Sequence, residues 1–289
     1  MSLNYSFFFL LAFAILCAWT EHYKQFSFYV FLWAIAIGVM QNRITLPGLL
    51  VIAVLGGTHY LLQIKLLSPI YQLILHAVLI VIFVGFAYHI FPGFHNWKLI
   101  DRVPLSATSL PYTMYLNVAQ PIYSYFFLFF QVKESTTYQS WSNIFRWGVI
   151  AFLLTLIGLL IANYCYPLVA WDPKALNPAF ALIWILRMVF SVCLAEEVFF
   201  RGYLQERLIV VFRNFPHAVW IAWILSSCLF GLLHLPAGVP IFVMATLAGL
   251  GYGLAYLKTR RIESAIITHF LVNLVHIWLF SYPMLAISL

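Results

Sequence analysis

The sequence predicts an all-α protein, a polytopic transmembrane helix bundle of about eight or nine spans, and three observations predict it. Hydrophobic residues make up 64% of the 289 and charged residues only 8%, whereas soluble domains are about 25% charged. Mean hydropathy is +0.97. The apolar residues also fall into runs of span length separated by short polar turns.

Taken in order, the candidate spans cover residues 5–20, 26–41, 45–64, 69–91, 146–168, 178–203, 217–235, 239–257 and 262–283, each near the ~20 apolar residues a bilayer core requires. The first run lacks a basic leading region and a small-residue cleavage site, so it reads as a retained span and not a signal peptide. The turns at 21–25, 41–43 and 65–68 are so short that successive helices must be antiparallel neighbours, which makes an N-terminal bundle. Between Pro92 and Arg146, pieces rich in Pro, Ser, Thr and Asn surround an aromatic run, Tyr123 to Phe130. That run is too short to span and fits an interfacial or re-entrant segment. The expected division is an N-terminal bundle with this segment over 1–145 and a C-terminal bundle over 146–289.

If the nine spans alternate, Lys24, Lys65 and Lys174 fall on one side. Arg187 stays inside a span, and every other Lys and Arg, Lys133 included, falls on the opposite side. Cytoplasmic loops collect Lys and Arg, so the expectation is an integral multi-pass protein with a cytoplasmic N-terminus, in the cell (inner) membrane if the source is bacterial. The net charge of +7 is dispersed over short loops, and no basic run is long enough for a nucleic-acid footprint. Cys17, Cys165, Cys193 and Cys228 lie in apolar runs without paired spacing, which suggests neither a disulfide framework nor a zinc cluster.

Only 8 residues are acidic, and an acid inside a span is costly enough to mark a site by default. Glu196 and Glu197 occupy that position. Glu197 and Arg201 are four apart and share a helix face, where each holds the other in its charged form. Glu196 is turned about 100° away and left out of that pairing. Two neighbouring carboxylates in different surroundings are the usual way acid and base roles are separated. The next span ends in Phe230-Gly-Leu-Leu-His234, and the last carries His269-Phe-Leu-Val-Asn273. His269 and Asn273 stack on one face and can donate two hydrogen bonds to one oxygen, the requirement of an oxyanion hole. Taken singly, each piece has a plainer reading, as a structural ion pair or as a helix-to-helix hydrogen bond. Their convergence on three spans of one bundle favours a site. For Glu196 to reach the depth of His234, span six must continue as helix to about Leu208, which also turns Arg201 toward the cavity. Gly249 to Gly253 forms a GxxxG-type packing surface. Arg187 has three open roles, as partner of a carboxylate, of a lipid headgroup or of substrate. His276 shares the broad face of His269 and reads as packing. His59, His76 and His89 have no acidic neighbour in sequence and receive no catalytic role.

The segments EEVFFR, FGLLH and HFLVN match the patterns EExxxR, FxxxH and HxxxN in order and approximate spacing. In these motifs the chain resembles the CPBP family (CAAX protease and bacteriocin-processing, Rce1-like) of glutamate-type intramembrane proteases, over about residues 180–285. The resemblance implies an intramembrane endopeptidase in which Glu196 with His234 activates a water that attacks a substrate carbonyl. His269 with Asn273 would stabilise the oxyanion, and Glu197 and Arg201 would support the site. It implies a membrane-associated protein or peptide as substrate, within or beside the lipid bilayer, and no nucleic acid. The family has been described both as metalloproteases and as metal-independent. No required cofactor is expected here, since Glu196 and His234 suffice as general base and no third strong ligand is obvious, while a zinc held by glutamate and two histidines stays open. There is no HExxH, no GxSxG context, and the two aspartates, Asp101 and Asp172, lie in loops. A membrane carrier or proton-coupled transporter using the same Glu and His residues as a relay is the alternative, and a peptide-binding scaffold without activity is a third.

Overall fold

The computed structural model describes residues 5–64, 66–131 and 140–286. The chain forms two compact units, the first comprising Met1–Trp97 and Leu116–Glu134, the second Lys98–Tyr115 and Ser135–Leu289. The protein is a helical polytopic bundle and a multi-pass integral membrane protein. Five helical runs are long and apolar enough to cross a membrane: Pro69–Ala87, Trp141–Cys165, Pro178–Val211, Val239–Thr259 and Ile262–Leu279. The other expected spans form shorter apolar helices, Ser6–Ala18, Lys24–Met40, Leu46–Leu61 and Ala218–Leu232. At 1.5 Å per residue these fall short of a bilayer core of ~30 Å. Lys65 and Lys133, used above for orientation, lie outside the described residues.

In the first unit, α1 (Ser6–Ala18) packs on α2 (Lys24–Met40), and α3 (Leu46–Leu61) packs on α4 (Pro69–Ala87). The aromatic run becomes α5 (Ala119–Phe130), which touches α1, α3 and α4 and is buried from Ala119 to Leu128. A largely apolar helix satisfies its own backbone and can be enclosed by other helices, and its serine and glutamine side chains donate to carbonyls, Ser124 to that of Gln120 at 2.7 Å and Gln120 to that of Phe86 at 3.4 Å. Tyr125 stacks on Phe31 at 4.1 Å with its hydroxyl 3.3 Å from Ser27 Oγ. Pro47 and Pro69 sit in the first turns of α3 and α4, where a missing N–H costs nothing. Gly93, at φ +88°, lies so close to the Gly48 backbone that a Cβ would come within 2.3 Å of the Gly48 nitrogen, and only glycine meets both demands.

Two strands, β1 (Trp97–Pro104) and β2 (Pro111–Leu116), pair as a small sheet where irregular structure was expected. In β2 the buried Tyr112 and Met114 alternate with less buried neighbours, the period of two that defines a strand.

The second unit is built from α6 (Trp141–Cys165), the run Pro178–Val211, α10 (Ala218–Leu232), α11 (Val239–Thr259) and α12 (Ile262–Leu279). Asn177 caps the long run by accepting from the Ala179 and Phe180 amides, with Pro178 in the first turn. The run is helical to Val211, past the Leu208 that reach required. It is not uniform: α7 (Pro178–Arg187), α8 (Leu194–Phe199) and α9 (Glu206–Val211) are joined by π-helical turns at Met188–Cys193 and Phe200–Gln205. Small residues draw the other helices together. A Cβ on Gly251 would lie 1.7 Å from Thr155 Oγ1 on α6, and one on Gly231 would lie 2.0 Å from Thr246 Oγ1 on α11. The GxxxG surface faces α10, with Gly249 against Ser227 and Gly253 against Trp223. In lipid, where apolar burial gives helices no reason to associate, such close contact and the hydrogen bonds it allows supply the adhesion. Examples are Thr268 to the Gly148 carbonyl at 3.0 Å and Trp223 to the Leu250 carbonyl at 2.9 Å.

Candidate active site

A cavity of about 320 Å³ opens inside the second unit, lined by α6, α11 and α12, the end of α10 and the start of α8. Glu196, His234, His269 and Asn273 all line it. The rest of its wall is chiefly aliphatic, including Leu156, Leu159, Ile241, Met244 and Val272.

The two adjacent glutamates are separated as their 100° offset required. Glu196 keeps 26% of its side chain exposed, toward the cavity it lines, while Glu197 is fully buried. Glu197 pairs with Arg201 at 3.1 Å, both at 0% exposure. Arg201 does not turn toward the cavity as the sequence suggested. Its second guanidinium nitrogen donates to the Gly249 carbonyl at 2.8 Å, and its charge lies 5.0 Å from the Phe230 ring and 5.5 Å from that of Tyr252. The cause is backbone exposure: close approach at Gly249 brings a carbonyl within reach, and a desolvated guanidinium needs acceptors for its donors.

Glu197 reaches further. Its Oε1 lies 2.8 Å from His269 Nδ1, and since a carboxylate only accepts, Nδ1 carries the proton of that bond. Nε2 of His269 lies 3.9 Å from Glu196 Oε2. Arg201, Glu197, His269 and Glu196 thus form one chain of alternating charge-bearing groups from the buried interior to the cavity. The tautomer qualifies the oxyanion expectation, because in neutral His269 Nε2 holds a lone pair and only the imidazolium donates from it. Asn273 Nδ2 donates to the His269 carbonyl at 3.1 Å, leaving one of its two amide protons for another acceptor.

His234 follows the end of α10, and its Nδ1 lies 3.0 Å from the Phe230 carbonyl. That acceptor fixes the proton on Nδ1 and leaves Nε2 as a base. The His269 ring is clamped by Tyr252, stacked at 4.3 Å and 13°, and by Phe230, edge-on at 6.2 Å. Tyr252 was not singled out in the sequence, where nothing local distinguishes it among 17 tyrosines. Arg187 donates from its Nε to the Tyr115 carbonyl at 2.9 Å. His276 lines the far end of the cavity and packs against Tyr282 at 4.9 Å. Among the described residues, no group of three His, Cys, Asp or Glu is arranged to hold a metal ion, and the chemistry below is routed through side chains alone.

Residues 178–275 match the family model described as Rce1-like, Type II CAAX prenyl endopeptidase Rce1-like. The match covers the three motifs and agrees with the CPBP resemblance they carry. It points to an intramembrane peptidase and not to a carrier. No curated protein and no solved structure matches the chain.

Proposed function

From a C-terminal segment of the Rce1-like type, we propose that this protein is an intramembrane endopeptidase hydrolysing a peptide bond in a membrane-associated protein or peptide. The observation that carries the reading is that Glu196, His234, His269 and Asn273 line one cavity while Glu197 and Arg201 stand behind it, fully buried.

In the proposed reaction Glu196, helped by the lone pair of His234 Nε2, takes a proton from a water in the cavity. The resulting hydroxide adds to the substrate carbonyl carbon, and the C=O electron pair moves onto oxygen. Asn273 and the imidazolium form of His269 donate to that oxyanion. On collapse the C–N bond breaks, and the leaving amine takes the proton back from Glu196. Glu197 holds His269 in orientation and stabilises its charge, and Arg201, paired with Glu197 at 3.1 Å, stands behind both. The aliphatic wall suits a substrate segment that is itself apolar, and the N-terminus is assigned to the cytoplasmic side.

The test compares peptide termini in membranes of cells expressing wild type, Glu196→Gln and His234→Ala at matched abundance. One cut terminus present in wild type and missing from both variants is the expected result. Unchanged termini accompanied by a lost solute or proton flux would replace the peptidase by a carrier. Activity that vanishes on chelation and returns with zinc would overturn the metal-free form of the mechanism.

A further inference from the structure

Each well-placed donor aimed at an oxyanion adds to its stabilisation, and the expected pair has protons already committed elsewhere. His269 commits its Nδ1 proton to Glu197 at 2.8 Å, and Asn273 commits one amide proton to the His269 carbonyl at 3.1 Å. Until His269 is protonated, the pair offers one free N–H. Tyr252 lies beside it. The residue lines the same cavity, is 2% exposed, and stacks on His269 at 4.3 Å. Among the described residues its hydroxyl has no protein hydrogen-bond partner, yet it is not one of the sealed-in polar atoms left without one, as the Tyr112 hydroxyl is. It is therefore open to the cavity that Tyr252 lines, where a tyrosine hydroxyl can donate to an incoming acceptor.

We propose that Tyr252 is a further catalytic residue, its hydroxyl donating a hydrogen bond to the substrate carbonyl oxygen and, more strongly, to the oxyanion formed from it. Tyr252 stays neutral throughout. The proton remains on the phenol, so the balance of the reaction is unchanged and only the charge on oxygen is better solvated. The ring has a second task, holding the imidazole plane of His269. Its own place on α11 is fixed by the neighbouring glycines, with Gly249 against α10 and Gly251 against α6. A donor held this rigidly costs little reorganisation at the moment of reaction.

The inference rests on the peptidase reading, and the experiment separates the two. Full-length wild type, Glu196→Gln, Tyr252→Phe and Tyr252→Leu are reconstituted in lipid nanodiscs with the peptide identified from the terminus comparison, and kcat, KM and thermal midpoint are measured for each. Tyr252→Phe removes one oxygen and keeps the stack. It is expected to lower kcat about 10²-fold, the scale of a lost oxyanion donor, with KM and midpoint unchanged. Tyr252→Leu loses the stack as well and is expected to fall further. A Tyr252→Phe enzyme with wild-type kcat, or with kcat lowered only in proportion to its folded fraction, overturns the assignment while leaving the peptidase intact. Equal turnover by wild type and Glu196→Gln overturns the peptidase reading and the role of Tyr252 with it.

Discussion

Two buried histidines, one in each unit, have nearly the same burial and packing and quite different connections. His59 on α3 is 0% exposed, parallel to Phe126 at 6.1 Å, with Nδ1 3.1 Å from the Gln131 amide nitrogen. His269 on α12 is 4% exposed, parallel to Tyr252 at 4.3 Å, with Nδ1 2.8 Å from the Glu197 carboxylate. The second nitrogen marks the difference most clearly. In His59, Nε2 is buried with no partner; in His269 it faces Glu196 at 3.9 Å. Burial, an aromatic neighbour and a helix do not make a functional histidine. What sets His269 apart is a carboxylate toward each nitrogen and a cavity alongside, the surroundings on which its proposed role rests.

The largest expected effect breaks this comparison if it appears in the wrong unit. Glu196→Gln should lower kcat/KM by about 10²–10⁴-fold, the usual worth of a general base, with the thermal midpoint unchanged, while His59→Gln should leave cleavage of the same peptide at the wild-type rate. A loss of cleavage in His59→Gln at full folded yield would place function in the first unit. Next in size is Arg201→Met, which strands the Glu197 carboxylate at 0% exposure. Removing one partner of a buried pair costs about 3–5 kcal/mol, read as a lower midpoint in detergent, and Glu197→Gln with Arg201→Met should recover most of it. If the double variant is no better than the single, the pair is not what holds this region.

A smaller contrast sets glycine against glycine. A Cβ on Gly251 of α11 meets Thr155 at 1.7 Å, whereas one on Gly57 of α3 meets nothing within 4 Å. Gly251→Ala should destabilise by about 1–3 kcal/mol through overpacking, and Gly57→Ala should gain up to about 1 kcal/mol from helix propensity. Equal midpoints for the two would show that α6 and α11 are not as close as described. The smallest effect concerns pH. Hydrogen bonds from Ser106 and Thr108, with Lys174 nearby, hold the Asp172 carboxyl below its ordinary 3.8. A lowered folded-state value stabilises above the unfolded value and is lost as pH falls through the folded one. Asp172→Asn should therefore flatten the acid side of the midpoint curve below that pH, by a few tenths of a kcal/mol at a partly exposed site.

How much of this was legible in the sequence depended on how rare each signal was. With 8 acids in the chain, Glu196 and Glu197 stood out, and helix geometry alone separated their surroundings. The closeness of Glu197 to His269 was not legible, since they stand 72 positions apart in the chain. Arg201 was placed on the correct face and then aimed wrongly, because the Gly249 carbonyl that holds it belongs to another helix. The β1–β2 pair was hidden by Pro104 at the end of β1, Pro111 at the start of β2 and runs too short to show their period. The burial of α5 was equally hidden, because an aromatic run reads the same at a membrane interface and inside a core.

The two π-turns on either side of α8 carry one further consequence. A π-turn closes its hydrogen bond over five residues instead of four, so each holds one residue more than a regular helix would at that point. Removing a single residue from Met188–Cys193 would leave hydropathy and charge almost untouched and give a more regular helix. It would also turn Glu196 about 100° from its present bearing relative to α7. In this stretch spacing is information that side-chain chemistry does not carry, and a chain shortened there by one residue would keep every motif letter while pointing its carboxylate at the wrong wall.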